Sequence, residues 1–231
     1  MENKKANIYL KGKNDLGILI CHGLKGYPKQ MEELSNYVNN LGYTVSCPQF
    51  SGHGTDQKNF SKTTVNDWYK DLEDAFLRLV KEVKGVYVMG LSMGGTFTVR
   101  IAETYNILGL VTMNAPLIGM PLKEKFDEMA AKKEKYNEIE KAQKALAIYD
   151  DFVIETGQIN NLAKITAPLL IIQGALDKDR FKISSSMLSK YVSSKYLSRL
   201  DFKKSGHLIV LEEEKQDLFL VIANFLYEIN K

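Results

Sequence analysis

The sequence predicts an α/β fold built on one mostly parallel central sheet flanked by helices, and three observations carry that expectation. Apolar strand-like runs alternate with segments of helical period along most of the chain, the pattern of a sheet covered by helices. The runs Gly17-Ile18-Leu19-Ile20-Cys21 and Pro168 to Gln173 are continuously apolar, as strands buried on both faces require. The 231 residues are 45% hydrophobic and 26% charged, which provides for the core of one large domain.

The elements follow in order. The first buried run ends at His22-Gly23. Pro28 suits a first helical turn, and Met31, Leu34, Tyr37, Val38 and Leu41 then mark one helix face, which Gly42 ends. Tyr43 to Cys47 reads as the next strand, followed by the glycine-rich loop Phe50-Ser51-Gly52-His53-Gly54. A helix is expected over Asn66 to Val83, burying Trp68, Leu72, Ala75, Phe76 and Leu79. The strand Val86 to Met89 runs into Gly90-Leu91-Ser92-Met93-Gly94-Gly95, with a helix beyond it through Val99 and Ile101. Leu108 to Met113 and Tyr196 to Phe202 are further strands, and a last helix starts near Glu213.

Between Ala115 and Ile165 the pattern changes. Lys123 to Lys144 is dense in Lys and Glu and predicts helix, with Phe126, Met129, Tyr136 and Ile139 as an apolar stripe that Leu146 and Tyr149 continue at a rotated angle. This reads as a helical insertion packed over the sheet edge, within a single domain spanning 1–231.

Composition narrows the partners. Thirty-one basic and 28 acidic residues leave a net charge of +3 and no long block of one sign, so there is no electrostatic case for nucleic acid. No window approaches the ~20 apolar residues that span a bilayer, and the polar start Met1-Glu2-Asn3-Lys4-Lys5 does not match a secretory signal. Cys21 and Cys47 lie in apolar strands and are expected to be buried thiols, which fits a cytoplasmic protein. No His/Cys/carboxylate cluster stands at ligand spacing, so neither a metal nor an organic cofactor is expected. The oligomeric state is left open.

The chemistry is carried by Gly90-Leu91-Ser92-Met93-Gly94, a G-x-S-x-G. About one chain in ten of this length would hold those three residues by chance. Here, however, a strand precedes the motif and a helix follows it, the setting in which a sharp turn exposes a serine nucleophile. A serine hydroxyl needs a base, and the base an orienting acid. Of His22, His53 and His207, only His207 follows a plausible acid, in a loop at a strand's C-terminal end. That acid is Asp177, just after the buried strand, with Asp179 as its rival two residues on. An oxyanion hole needs two N–H donors. Met93 provides one at the start of its helix, and the loop His22 to Gly26 the other, with Leu24 as the chosen donor.

These stretches, His22-Gly23-Leu24-Lys25-Gly26, Gly52-His53-Gly54 with Trp68 downstream, Gly90 to Gly95 and Ser205-Gly206-His207, resemble the α/β-hydrolase superfamily. They are most similar to bacterial carboxylesterases of the monoacylglycerol-lipase-like group. The resemblance implies a small cap over the acyl pocket at about 116–164. It also implies a serine esterase acting on short- to medium-chain esters or monoacylglycerols through an acyl-enzyme. One departure is local: Lys178-Asp179-Arg180-Phe181 lacks the proline that the resemblance leads one to expect after the acid. A peptidase or amidase of the same fold is the alternative enzyme, and a slow-turnover ligand-binding relative the alternative from another class.

Overall fold

The computed structural model describes residues 7–119 and 148–231. The expected helix over Lys123 to Lys144, and most of its stripe, lie outside the described residues.

Among the described residues seven strands form one sheet: β1 (Ile8–Leu10), β2 (Leu16–Cys21), β3 (Thr44–Cys47), β4 (Gly85–Leu91), β5 (Gly109–Met113), β6 (Leu169–Gly174) and β7 (Leu197–Phe202). Their order is β1-β3-β2-β4-β5-β6-β7. Only β1 runs antiparallel, paired with β3; every other neighbouring pair is parallel. The principal helices are α1 (Glu32–Asn40), α2 (Val65–Leu79), α3 (Met93–Thr104), α4 (Asp179–Tyr191) and α5 (Lys215–Glu228).

Side chains alternate across the strands, so each strand feeds two cores. On β2, Leu19 and Cys21 join Trp68, Leu72 and Phe76 of α2, Phe97 and Ile101 of α3 and Leu188 of α4. Ile18 and Ile20 face the other way, onto Leu34 and Val38 of α1 and Leu218, Ile222 and Phe225 of α5. Each fully buried side chain of this size contributes roughly 1.5–3 kcal/mol, which is why these strands read as unbroken apolar runs. Both cysteines are buried free thiols.

Two helix ends and one whole helix differ most from expectation. Leu41, expected on the buried face of α1, is 45% exposed because the helix has already ended at Asn40. The helix expected to reach Val83 stops at Leu79: Gly85 must pair with Leu16 to begin β4, and Lys84 N–H bonds the Asp15 carbonyl just before it. Helix α4 was not expected at all. No described helix is long and apolar enough to cross a membrane.

The topology places the site. From β2 the chain steps to β3 on one side and then to β4 on the other. Sheets of this kind bind ligands beyond the C-terminal ends of their strands, where the order reverses. The loop after β2 and the turn after β4 flank that point.

Candidate active site

Ser92 follows β4 directly and precedes α3. Its backbone is left-handed, with φ 54° and ψ −124°, an uncommon place for a residue other than glycine. Two contacts hold it there: its N–H donates to the Met113 carbonyl at 2.8 Å, and its carbonyl accepts from Gly95 N–H at 2.8 Å. The flanking glycines make the turn possible by close approach. A Cβ on Gly90 would stand 2.1 Å from the Gly94 carbonyl oxygen, and one on Gly94 would stand 2.4 Å from that of Cys21. Backbone cannot yield at such distances, so both positions exclude any side chain.

The structure brings the three expected residues together. His207 Nε2 lies 2.9 Å from Ser92 Oγ, and His207 Nδ1 lies 2.7 Å from Asp177 Oδ2. The Asp177 side chain is 3% exposed and the His207 side chain 35%, so the carboxylate is enclosed while the imidazole is partly open. An ionised carboxylate only accepts, so Nδ1 carries the proton and Nε2 keeps a lone pair toward the serine. The rival Asp179 points away; its side chain is 88% exposed and pairs with Lys182 at 2.9 Å.

The residues expected as oxyanion donors lie near the serine. Met93 is the first residue of α3, so its N–H has no acceptor within the helix, and the helix dipole favours negative charge there. Across from it, a Cβ on Gly23 would lie 3.3 Å from Ser92 Cβ, which sets the loop after β2 against the serine. Leu24 comes next, and among the described residues no backbone carbonyl accepts its N–H.

The other two histidines take no part in this relay. His22 and His53 pack together, ring centroids 5.3 Å apart, with Phe50 against both and Trp68 against His53. Burial pushes His22 down to about 3 and His53 to about 4, so both are neutral props of the loops they sit in. Among the described residues, no three His, Cys, Asp or Glu side chains group as metal ligands do.

Sequence reasoning missed several neighbours. Phe181, where a proline was expected nearby, lies on the first turn of α4 with its ring against His207, centroids 4.4 Å apart. The carboxylate of Glu212 accepts both N–H groups flanking His207, that of Gly206 and, at 2.9 Å, that of Leu208. Glu214 accepts from Ser205 Oγ at 2.6 Å and from Lys204 N–H at 2.9 Å. Asn114, at the end of β5, reaches the same loop from inside the fold. The acidic run Glu212-Glu213-Glu214 so close after a candidate base was the one available signal for this bracing.

A family model described as "Serine aminopeptidase, S33" matches residues 12–135, more than half of the chain. The chain belongs to this family, and its fold is that of the α/β-hydrolases. It is 26% identical to a carboxylesterase of Bacillus subtilis (strain 168) over 94% of this chain and 94% of that protein. It is also 39% identical to a thermostable monoacylglycerol lipase of Bacillus sp. (strain H-257), over 43% of this chain and 40% of that one. Among solved structures, one from work on the metagenome-derived lipolytic enzymes LipS and LipT superposes with a TM-score of 0.83 at 21% identity, covering 98% of both chains. A Paleococcus ferrophilus monoacylglycerol lipase does so with a TM-score of 0.75 at 18% identity, covering 97% of this chain and 98% of that one. At these identities the superpositions speak to the fold.

Proposed function

We propose that this protein is a serine carboxylesterase that hydrolyses short- to medium-chain carboxylic esters or monoacylglycerols through an acyl-enzyme. The observation that carries this reading is the unbroken relay from Ser92 Oγ through His207 to Asp177, with the serine at the N-terminus of a helix. The similarity to a carboxylesterase over nearly the whole chain supports it.

In this reading Ser92 Oγ attacks the ester carbonyl carbon as its proton passes to His207 Nε2. The carbonyl oxygen gains a negative charge, which the N–H groups of Met93 and Leu24 meet without reorganising. Asp177 holds Nδ1–H and stabilises the imidazolium. As the C–O bond breaks, the departing alcohol oxygen takes the proton from Nε2 and leaves an acyl group on Ser92. Water then attacks that acyl carbon, giving its proton to the same nitrogen. Collapse releases the acid, and the proton returns to Ser92 Oγ.

Apolar side chains beside the relay favour an uncharged substrate. Leu176, next to Asp177, is 69% exposed, and Leu208, next to His207, is 41% exposed. A cap at about 116–164 belongs to the same reading. Residues 148–156 are helical, and Phe152 among them packs on Phe97 and Tyr69, which supports a cap seated over α3.

The test is a rate series on p-nitrophenyl esters of increasing chain length, beside aminoacyl p-nitroanilides. Phenylmethylsulfonyl fluoride labelling accompanies it, with mass spectrometry to find the adduct. The proposal expects ester turnover, the adduct on Ser92, and loss of both in a folded Ser92→Ala variant. Turnover confined to the anilides would make the protein an amidase, and an adduct on another serine would remove Ser92 from its role.

A further inference from the structure

We infer that Asn114 is a positioning residue that sets the acid and the base of the relay in register with the serine. The inference rests on the triad reading above and deepens it. Asn114 is fully buried at the C-terminal end of β5, and its side chain makes three hydrogen bonds. Its Oδ1 accepts the Gly174 N–H at 2.7 Å. Its Nδ2 donates to the Gly206 carbonyl at 2.8 Å and to the His207 carbonyl at 2.9 Å.

Gly174 opens the turn that ends at Asp177, whose N–H bonds the Gly174 carbonyl at 3.1 Å. Gly206 and His207 are the base and the residue before it. One carboxamide therefore ties the acid's turn to the base's loop. The preceding residue, Met113, supplies the carbonyl that holds Ser92 N–H. Two consecutive residues at one strand end thus touch all three segments that bear the relay.

Asparagine suits this post on two counts. Its amide offers acceptor and donors on one planar group, matching one N–H and two carbonyls. Aspartate would turn an oxygen toward two carbonyl oxygens, and a hydrocarbon would take the partner from the buried Gly174 N–H and from two part-buried carbonyls. Its backbone is also left-handed, with φ 51°, a conformation that asparagine tolerates better than most residues. Among the described residues, Glu212 and Glu214 also brace the loop 204–208 and Leu176 N–H reaches the Ser205 carbonyl from the acid's turn, while the Asn114 carboxamide bonds the turn and the loop at once.

The experiment compares Asn114→Gly, Asn114→Asp and Ser92→Ala in one ester assay across pH. Asn114→Gly accepts the left-handed backbone without strain and removes the side chain that carries the carboxamide. It should lower kcat by about 10²-fold, the scale of a small misplacement of catalytic groups, leave KM little changed, and shift the pH at which the rate rises, because His207 no longer sits squarely on Asp177. In Asn114→Asp the new carboxyl can donate to a carbonyl only while protonated. That variant should lose activity as pH rises where the parent gains it, and this readout does not depend on the glycine variant folding. Parental kcat and an unshifted pH profile in either folded variant would overturn the inference and leave the loop to Glu212 and Glu214. Activity persisting in Ser92→Ala would instead overturn the triad reading beneath it.

Discussion

The Phe181 ring lies on the His207 imidazole, centroids 4.4 Å apart and planes tilted by 44°. Phe181 is 3% exposed, so it forms a fixed wall for a side chain that is itself partly open to solvent. Phe181→Ala removes that wall. Emptying a buried phenylalanine site costs about 3–5 kcal/mol, and the freed imidazole should lower kcat as well. Urea unfolding and ester kinetics on one preparation check both effects. A lowered unfolding midpoint with parental kcat would reduce Phe181 to core packing.

Asp177→Asn should lower kcat by roughly 10⁴, as in the serine-protease precedent, because the amide favours the wrong imidazole tautomer. Asp179→Asn should change little, since that carboxylate faces solvent and pairs with Lys182. Steady-state rates of the two variants decide the matter, and the reverse ranking would transfer the acid's role to Asp179.

The loop after β2 is expected to act through its backbone. Leu24→Ala should alter chain-length preference more than kcat. Leu24→Pro deletes the N–H proposed as an oxyanion donor, and losing such a donor typically costs about 10²–10³ in kcat. Proline also restricts Gly23 before it, so the variant is first titrated with an active-site phosphonate. A folded, phosphonate-reactive Leu24→Pro enzyme with parental kcat would move the second donor elsewhere in the loop.

Glu103 carries a pH signature in stability. Its side chain is 3% exposed and neither carboxylate oxygen has a hydrogen-bond partner among the described residues. Burial raises its pKa from 4.5 to about 8, against the opposing pull of Arg100. Between those values the folded state holds a proton that the unfolded state has released, so stability falls as pH rises through that window, at up to about 1.4 kcal/mol per pH unit. Glu103→Gln removes this dependence. It should match the parent below pH 4.5 and be the more stable protein above pH 8. Thermal melts across that range check it; parallel curves for the two proteins would contradict the assignment.

What the sequence made legible follows from how each signal is written. The buried strands announce themselves by unbroken apolar runs, and Ser92 by glycines whose absent side chains the turn requires. Asp177 and His207 follow from chain order and from their places after strands. Asn114 and Phe181 were not legible. Asn114 reads as an ordinary turn residue, because its partners at 174, 206 and 207 come near it only when β5, β6 and β7 lie side by side. Phe181 sits at the start of a helix of weak amphipathicity, and nothing local ties it to a histidine far along the chain. Leu41 was misjudged for a simpler reason: helical period continues on paper past the point where the helix ends.

The relay also constrains when activity can arise during folding. Ser92 and His207 stand 115 positions apart, and Asp177 and His207 stand 30 apart, so none of these contacts is local. Closing such separations is slow compared with forming a helix or a short turn. A growing chain that has already made β4 and the serine turn holds an inert hydroxyl until β6 and β7 dock in parallel beside β5. Hydrolysis therefore switches on late, with the assembly of the second half of the sheet, and the recovery of turnover after dilution from denaturant serves as a clock for that final step.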